Sequence, residues 1–204
     1  MKVYYFDLGL YNATELKWIT EDIFPELNIT NYHAYGFEPC KKSYESINQY
    51  FKNNNKITIL NKAISNNSET KKLYYSMESD EGHSLYSSKF NVSEKNYEYV
   101  ECIKFSEFLY SLKDINKTFN IVRLNIEGAE WDLFNDLINA GLKDNINIFC
   151  GAGDDVKKIE EYKSRINEYY HLLSKNNINI YQFCAIYRNS KENIKNMIKK
   201  SLKL

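Results

Sequence analysis

The chain has 204 residues, with 27 Lys and Arg against 27 Asp and Glu and a formal net charge of zero. That length suits one α/β domain with a sizeable core and argues against two. A neutral chain has no global field drawing it to nucleic acid or to an anionic membrane, so neither is expected as a partner.

Short apolar runs alternate with segments of helical period along the chain, which is the signature of βαβ units and a mostly parallel sheet. Val3–Phe6 reads as the first strand and ends at Asp7. After a Gly and Asn turn, Leu16, Ile19, Ile23 and Phe24 fall at helical spacing, and Pro25 stops the segment. Tyr32–Phe37 is a second strand ending at Glu38-Pro39, Tyr44, Ile47 and Phe51 mark a second helix, and Ile57–Leu60 is a third strand. Residues 66–104 have a different texture. Leu73-Tyr74-Tyr75, a polar Gly and Ser loop and the alternating Tyr97–Ile103 predict an antiparallel hairpin or flap inserted into the parallel pattern.

A short helix over Phe105–Leu112 precedes a fourth strand, Ile121–Ile126. Trp131, Phe134, Leu137 and Ile138 make the next helix, closed by Gly141. Ile146–Cys150 is a fifth strand, and Val156, Ile159, Tyr162, Ile166, Tyr169 and Leu173 space out as the longest helix. Ile178–Phe183 and Ala185–Tyr187 look strand-like. The chain reads as one domain over 1–190 and a Lys-rich tail or helix over 191–204, for which a frayed, solvated helix is favoured over a lipid- or partner-binding one.

The N-terminal apolar run is too short for a secretory signal, and no run approaches the ~20 residues that cross a bilayer. Cys40, Cys102, Cys150 and Cys184 are far apart and form no CxxC pair. Free thiols in a reduced, cytoplasmic setting are expected, and no metal site. Triplets such as Asn28-Ile29-Thr30 are chance matches in an Asn-rich chain. The 18 tyrosines read as core and half-buried surface rather than a platform for stacked bases.

Three features fall at the ends of successive predicted strands, where ligands bind in an open α/β sheet. The first is Asp7-Leu8-Gly9-Leu10-Tyr11-Asn12-Ala13, a Gly directly after a strand and before the N-terminus of a helix. The second is Gly36-Phe37-Glu38-Pro39, whose carboxylate suits the two hydroxyls of a ribose. The third is Arg123-Leu124-Asn125-Ile126-Glu127-Gly128-Ala129-Glu130. Asp7-Leu8-Gly9, Phe37-Glu38-Pro39, Asn61-Lys62-Ala63-Ile64-Ser65, Ser84-Leu85 and Glu127-Gly128-Ala129-Glu130 together resemble the FkbM family of S-adenosylmethionine (SAM)-dependent methyltransferases over roughly residues 3–141.

The resemblance implies a three-layer α/β/α Rossmann-like methyltransferase fold and SAM as cofactor. It implies that Asp7, Gly9, Tyr11, Asn12 and Asn125 surround the methionine part, that Glu38 and Pro39 hold the ribose, and that the turn to Ala63 lies against adenine. The implied activity is methyl transfer to a hydroxyl of a small molecule or sugar. N-methylation and a non-catalytic SAM- or nucleotide-binding module are the alternatives, and a homo-oligomer is left open. An NAD-dependent oxidoreductase is disfavoured because the full G-x-G-x-x-G is absent.

Two departures stand out. Ala13 replaces a Gly, so its turn is expected to avoid positive φ, and Asn125 replaces an Asp. Candidate catalytic residues are Glu127, His83 and Asn125, with Glu130 read as structural. Glu127 is read equally as a cap for a helix starting near Gly128. Cys150-Gly151-Ala152-Gly153-Asp154-Asp155 is no phosphate-binding loop; it reads as a capped loop or a substrate loop on the same sheet edge.

Overall fold

The computed structural model describes residues 1–79 and 81–204. The first strand, β1 (Val3–Leu8), is buried along its whole length. A helical segment follows, in which α1 (Thr14–Lys17) passes through a π-helical stretch (Trp18–Ile23) into α2 (Phe24–Glu26), with Pro25 in the last turn. Then come β2 (Tyr32–Phe37), α3 (Lys41–Phe51), β3 (Ile57–Leu60), β4 (Ala63–Ile64), β5 (Thr70–Ser76), β6 (Val92–Ile103) and α4 (Phe105–Ser111). The second half holds β7 (Phe119–Leu124), α5 (Glu130–Asn139), β8 (Ile148–Gly151), α6 (Glu160–Lys163), α7 (Ile166–Lys175), β9 (Ile180–Tyr181) and α8 (Ser190–Leu202).

Six strands form one sheet in the order β3-β2-β1-β7-β8-β9, and every pairing in it is parallel. Alternate residues of each central strand serve opposite faces. Val3 and Tyr5 of β1 join Phe119 and Ile121 of β7 in a core under α1, α2, α3 and α8. Tyr4, Phe6 and Leu8 join Val122 and Leu124 in a second core under α4, α5 and α7. The result is the expected three-layer, Rossmann-like α/β/α arrangement. β5 and β6 pair antiparallel, with β4 beside β6, as a separate small sheet. This is the inserted flap.

Strand order reverses beside β1, which has β2 on one side and β7 on the other. A crevice therefore opens at the C-terminal ends of β1 and β7.

Four sequence expectations need correction. β7 ends at Leu124, so Asn125 and Ile126 lie in the loop after it. The expected longest helix is broken into a 3₁₀ turn (Asp155–Lys158), α6 and α7. The flap causes the first break: Lys89 bridges Ile159, which is extended, and Ser88 accepts from the Glu160 amide. Residues 185–187 form no strand, because the Ala185 amide donates to Glu15 instead. The Lys-rich tail is not a solvated helix: Ile194 and Ile198 of α8 are fully buried in the first core. Lys191 and Lys195 pair with Asp22 and Glu26 across the same contact.

Docking of α8 predicts that Ile198→Ala lowers unfolding stability by roughly 2–5 kcal/mol in urea titrations. A change within a few tenths would mean that the helix frays in solution.

Candidate functional site

The loop after β1 carries most of the site's strain. Gly9 has φ +87°, and a Cβ there would lie 2.0 Å from the Asn125 carbonyl oxygen. The loops after β1 and β7 can thus touch only because residue 9 has no side chain. The Asn125 amide donates to the Leu8 carbonyl at 2.8 Å, which continues the β1–β7 ladder past the strand end. Ala13 has φ +59°, contrary to the expectation that it avoids this region. A left-handed residue with a Cβ costs about 1–2 kcal/mol. Local bonds hold it: the Ala13 amide donates to the Leu10 carbonyl, and Asn12 Oδ1 takes the Thr14 amide and hydroxyl.

Gly9, Tyr11, Glu38, Pro39, Ala63, His83, Asn125 and Glu127 line one slot over this crevice. The flap supplies its roof through Leu73, Gly82, His83 and Leu85. In this position the flap leaves a free volume of about 60 Å³. Small-molecule sites run from about 300 Å³ upward, so the flap leaves the slot narrow.

Two expected site residues stay out of the slot. The Asp7 carboxylate is buried between β1 and β7, where it accepts from Arg123 at 2.8 Å and from the Tyr5 hydroxyl at 3.1 Å. Burial raises its pKa to about 6 against the pull of Arg123. Asn12 faces a cavity beside α3 and spends its side chain on the start of α1.

Glu38 is 5% exposed and braces the loops after β1 and β2. Its Oε2 accepts the Tyr11 amide at 2.7 Å and its Oε1 the Cys40 amide at 2.9 Å. Asn61 donates to the carbonyls of both Glu38 and Pro39, which fixes the turn. A carboxylate has about four acceptor positions, so the Tyr11 and Cys40 amides do not use them all. Burial raises the Glu38 pKa to about 7, with the Tyr11 and Cys40 amides opposing.

Glu127 does not cap a helix. α5 starts at Glu130, and Glu127 sits before it with φ +54°, a conformation unusual for a large side chain. Ser84 of the flap donates to its carbonyl at 2.7 Å, and Lys89 Nζ donates to its Oε2 at 2.6 Å. Glu130 is the residue tied to the helix start: its Oε2 accepts the Gly128 amide, and its buried Oε1 has no partner among the described residues.

His83 lines the slot, but its Nδ1 already accepts the Ser76 amide at 3.0 Å. In the neutral ring that leaves a proton on Nε2, a poor arrangement for a base.

A second, open groove of about 660 Å³ lies on the far side of Asn125 and Glu127. Its walls include Gly151–Asp155, Tyr170, Gln182 and Tyr187. Asn125 and Glu127 line both spaces and stand where they meet. Among the described residues no cluster of side chains suits a metal ion.

Sequence reasoning missed Glu15 and Lys89, and it placed Arg123 at a strand end without its pairing to Asp7. Arg123 carried a signal, a charge inside the apolar run Ile121–Ile126. Lys89 carried none, since it looks like any loop lysine in Ser-Ser-Lys-Phe.

Burial, followed by the nearby Asp155, raises the Glu130 pKa to about 8. Its folded value exceeds its unfolded one, so its contribution is complete below pH 4.5 and is lost as pH rises through about 8. Wild-type protein is therefore expected to be less stable at pH 8.5 than at pH 5.5. Glu130→Gln should remove at least about 1.4 kcal/mol of that decline in urea titrations, one unit's worth. An unchanged decline would mean that Glu130 titrates normally.

The family model described as Methyltransferase FkbM domain matches residues 24–173. No curated protein and no solved structure matches the chain. No helix is long and apolar enough to cross a membrane, among the described residues. With most of its length matched, including the Glu38 turn, the flap and the Glu127–Glu130 loop, the chain belongs to the FkbM methyltransferase domain family.

Proposed function

We propose that the protein transfers a methyl group from SAM to a hydroxyl of a small molecule or sugar. One observation carries this reading. Glu38 and Glu127 line a single slot at the switch point of the sheet, and Glu127 also faces the groove beyond it.

The side chains fit the cofactor's chemistry. Glu38 offers hydroxyl-accepting oxygens at the β2 end, where a ribose belongs. Phe37, Ile64, Leu73 and Leu85 give that end of the slot apolar walls suited to a base. Gly9, Tyr11 and Asn125 provide the loop backbone for the amino-acid end, and Asp7 acts by holding that loop to Arg123 rather than by contact. Ala13 does not count against the reading, since the turn forms with Ala in place of Gly.

When bound, SAM would supply an electrophilic methyl carbon on a sulfonium, so that an acceptor oxygen would form the C–O bond as the C–S bond breaks and the demethylated thioether leaves. Glu127 is placed to take the hydroxyl proton at the junction of slot and groove. Asn125 carries an amide beside it to orient the acceptor by hydrogen bonds. The flap excludes water from the slot. The groove's dimensions suit an acceptor of sugar size. Cytoplasmic location is part of the proposal and rests on the reduced-thiol reading of four free cysteines.

Calorimetry tests the cofactor, and tritiated-methyl SAM with a panel of hydroxylated acceptors tests the transfer. SAM and its demethylated product should bind, and NAD should not. Glu38→Gln should weaken SAM binding about 10- to 100-fold, the worth of charge-assisted hydrogen bonds. Glu127→Gln should keep binding but slow transfer by about 10²–10⁴. Absence of SAM binding, or unchanged affinity in Glu38→Gln, contradicts the reading.

A further inference from the structure

Lys89 is 2% exposed, yet it carries an ammonium. Lysines are almost never buried without a partner. Its Nζ donates to the Gly82 carbonyl at 2.7 Å and to Glu127 Oε2 at 2.6 Å. It therefore ties the flap to itself and to the loop after β7. Ser84 adds a second tie to the Glu127 carbonyl, and Tyr86 a third, its hydroxyl donating to Asp132 at 2.7 Å. The Lys89 and Ser84 contacts converge on a residue already held in a left-handed conformation, with Gly128 at φ +113° next to it. Strain of this kind persists only where the surroundings over-determine it.

Glu127 has two oxygens with different fates. Oε2 is committed to Lys89, and no hydrogen bond is recorded for Oε1 among the described residues. Several charged groups face the carboxylate. From the flap come Lys89 and, lining the same slot, Glu81 and His83. From the turn after β8 come Asp155 and Lys158, and from α5 comes Glu130. Burial raises the Glu127 pKa, Lys89 opposes this, and Asp155 adds to it.

From this we infer that Lys89 is the positioning residue of the base: reaching from the flap, it bonds one Glu127 oxygen and leaves the other for the acceptor's proton. Closing the flap and positioning the base are then one event. With the flap lifted, the Lys89 bond to Oε2 and the Ser84 bond to the Glu127 carbonyl would both be broken. The inference rests on the reading of Glu127 as the base.

The test uses the full chain with ¹³Cδ-labelled glutamate, and no cofactor. The carboxyl resonance that disappears in Glu127→Gln is followed across pH. In Lys89→Met it should titrate at least one pH unit higher than in wild type, and in Lys89→Arg it should return close to the wild-type value. Amides of residues 81–91 should exchange with deuterium at least tenfold faster in Lys89→Met. Should Lys89→Met fail to fold, Lys89→Gln is read in the same way. An unchanged Glu127 titration, or unchanged flap exchange, in a folded variant overturns the inference. SAM binding enters neither readout, so failure of the cofactor reading and failure of this one are seen separately.

Discussion

Arg123 is a buried guanidinium between carboxylates, and the switch point of the sheet is built around it. Its Nη1 reaches Asp7 at 2.8 Å and the Gly9 carbonyl at 2.8 Å, while Nη2 reaches Glu15 at 3.1 Å. Burial works against its charge, and Asp7 and Glu15 more than offset that, so it stays a cation. One side chain of β7 thereby fixes the end of β1, the loop after it and the first turn of α1. Glu15 extends the network by accepting the Ala185 amide, which sets a wall of the open groove. Breaking such a buried pair from one side costs about 3–5 kcal/mol, because the charge left behind has no partner. The Asp of the first motif thus shapes the slot without facing it.

Around that anchor the site divides its work by element. β2 ends in Glu38, whose amide partners Tyr11 and Cys40 join the first loop to the start of α3. β7 ends in Asn125 and Glu127, which stand between slot and groove. The flap covers the slot and grips the Glu127 loop through Ser84 and Lys89. The rigid sheet positions the groups that need fixed geometry, and the inserted hairpin forms the roof over them. Its separate three-stranded sheet gives it an internal framework.

Much of this was legible in the residues. The apolar runs at β1, β2 and β3 and the alternating Tyr97–Ile103 are strong periodic signals, and their elements form where expected. The break in the long helix was not legible. Ile159 keeps the helical spacing of its neighbours but is pulled extended by the flap, a contact distant in sequence. The direction of Asp7 was hidden for a similar reason, since a carboxylate at a strand end looks like a ligand contact until Arg123 is seen opposite it. Ala13 shows the limit of steric rules: one methyl group tolerates the left-handed region when neighbouring hydrogen bonds hold it there.

The central claim is that the cofactor lies in the slot between Glu38 and Glu127 under the flap. A crystal structure with demethylated SAM bound tests it most directly. The account predicts the ribose hydroxyls on Glu38 and the sulfur directed at the junction beside Asn125 and Glu127. Density for the ligand in the cavity beside α3, or with its ribose away from Glu38, would contradict it.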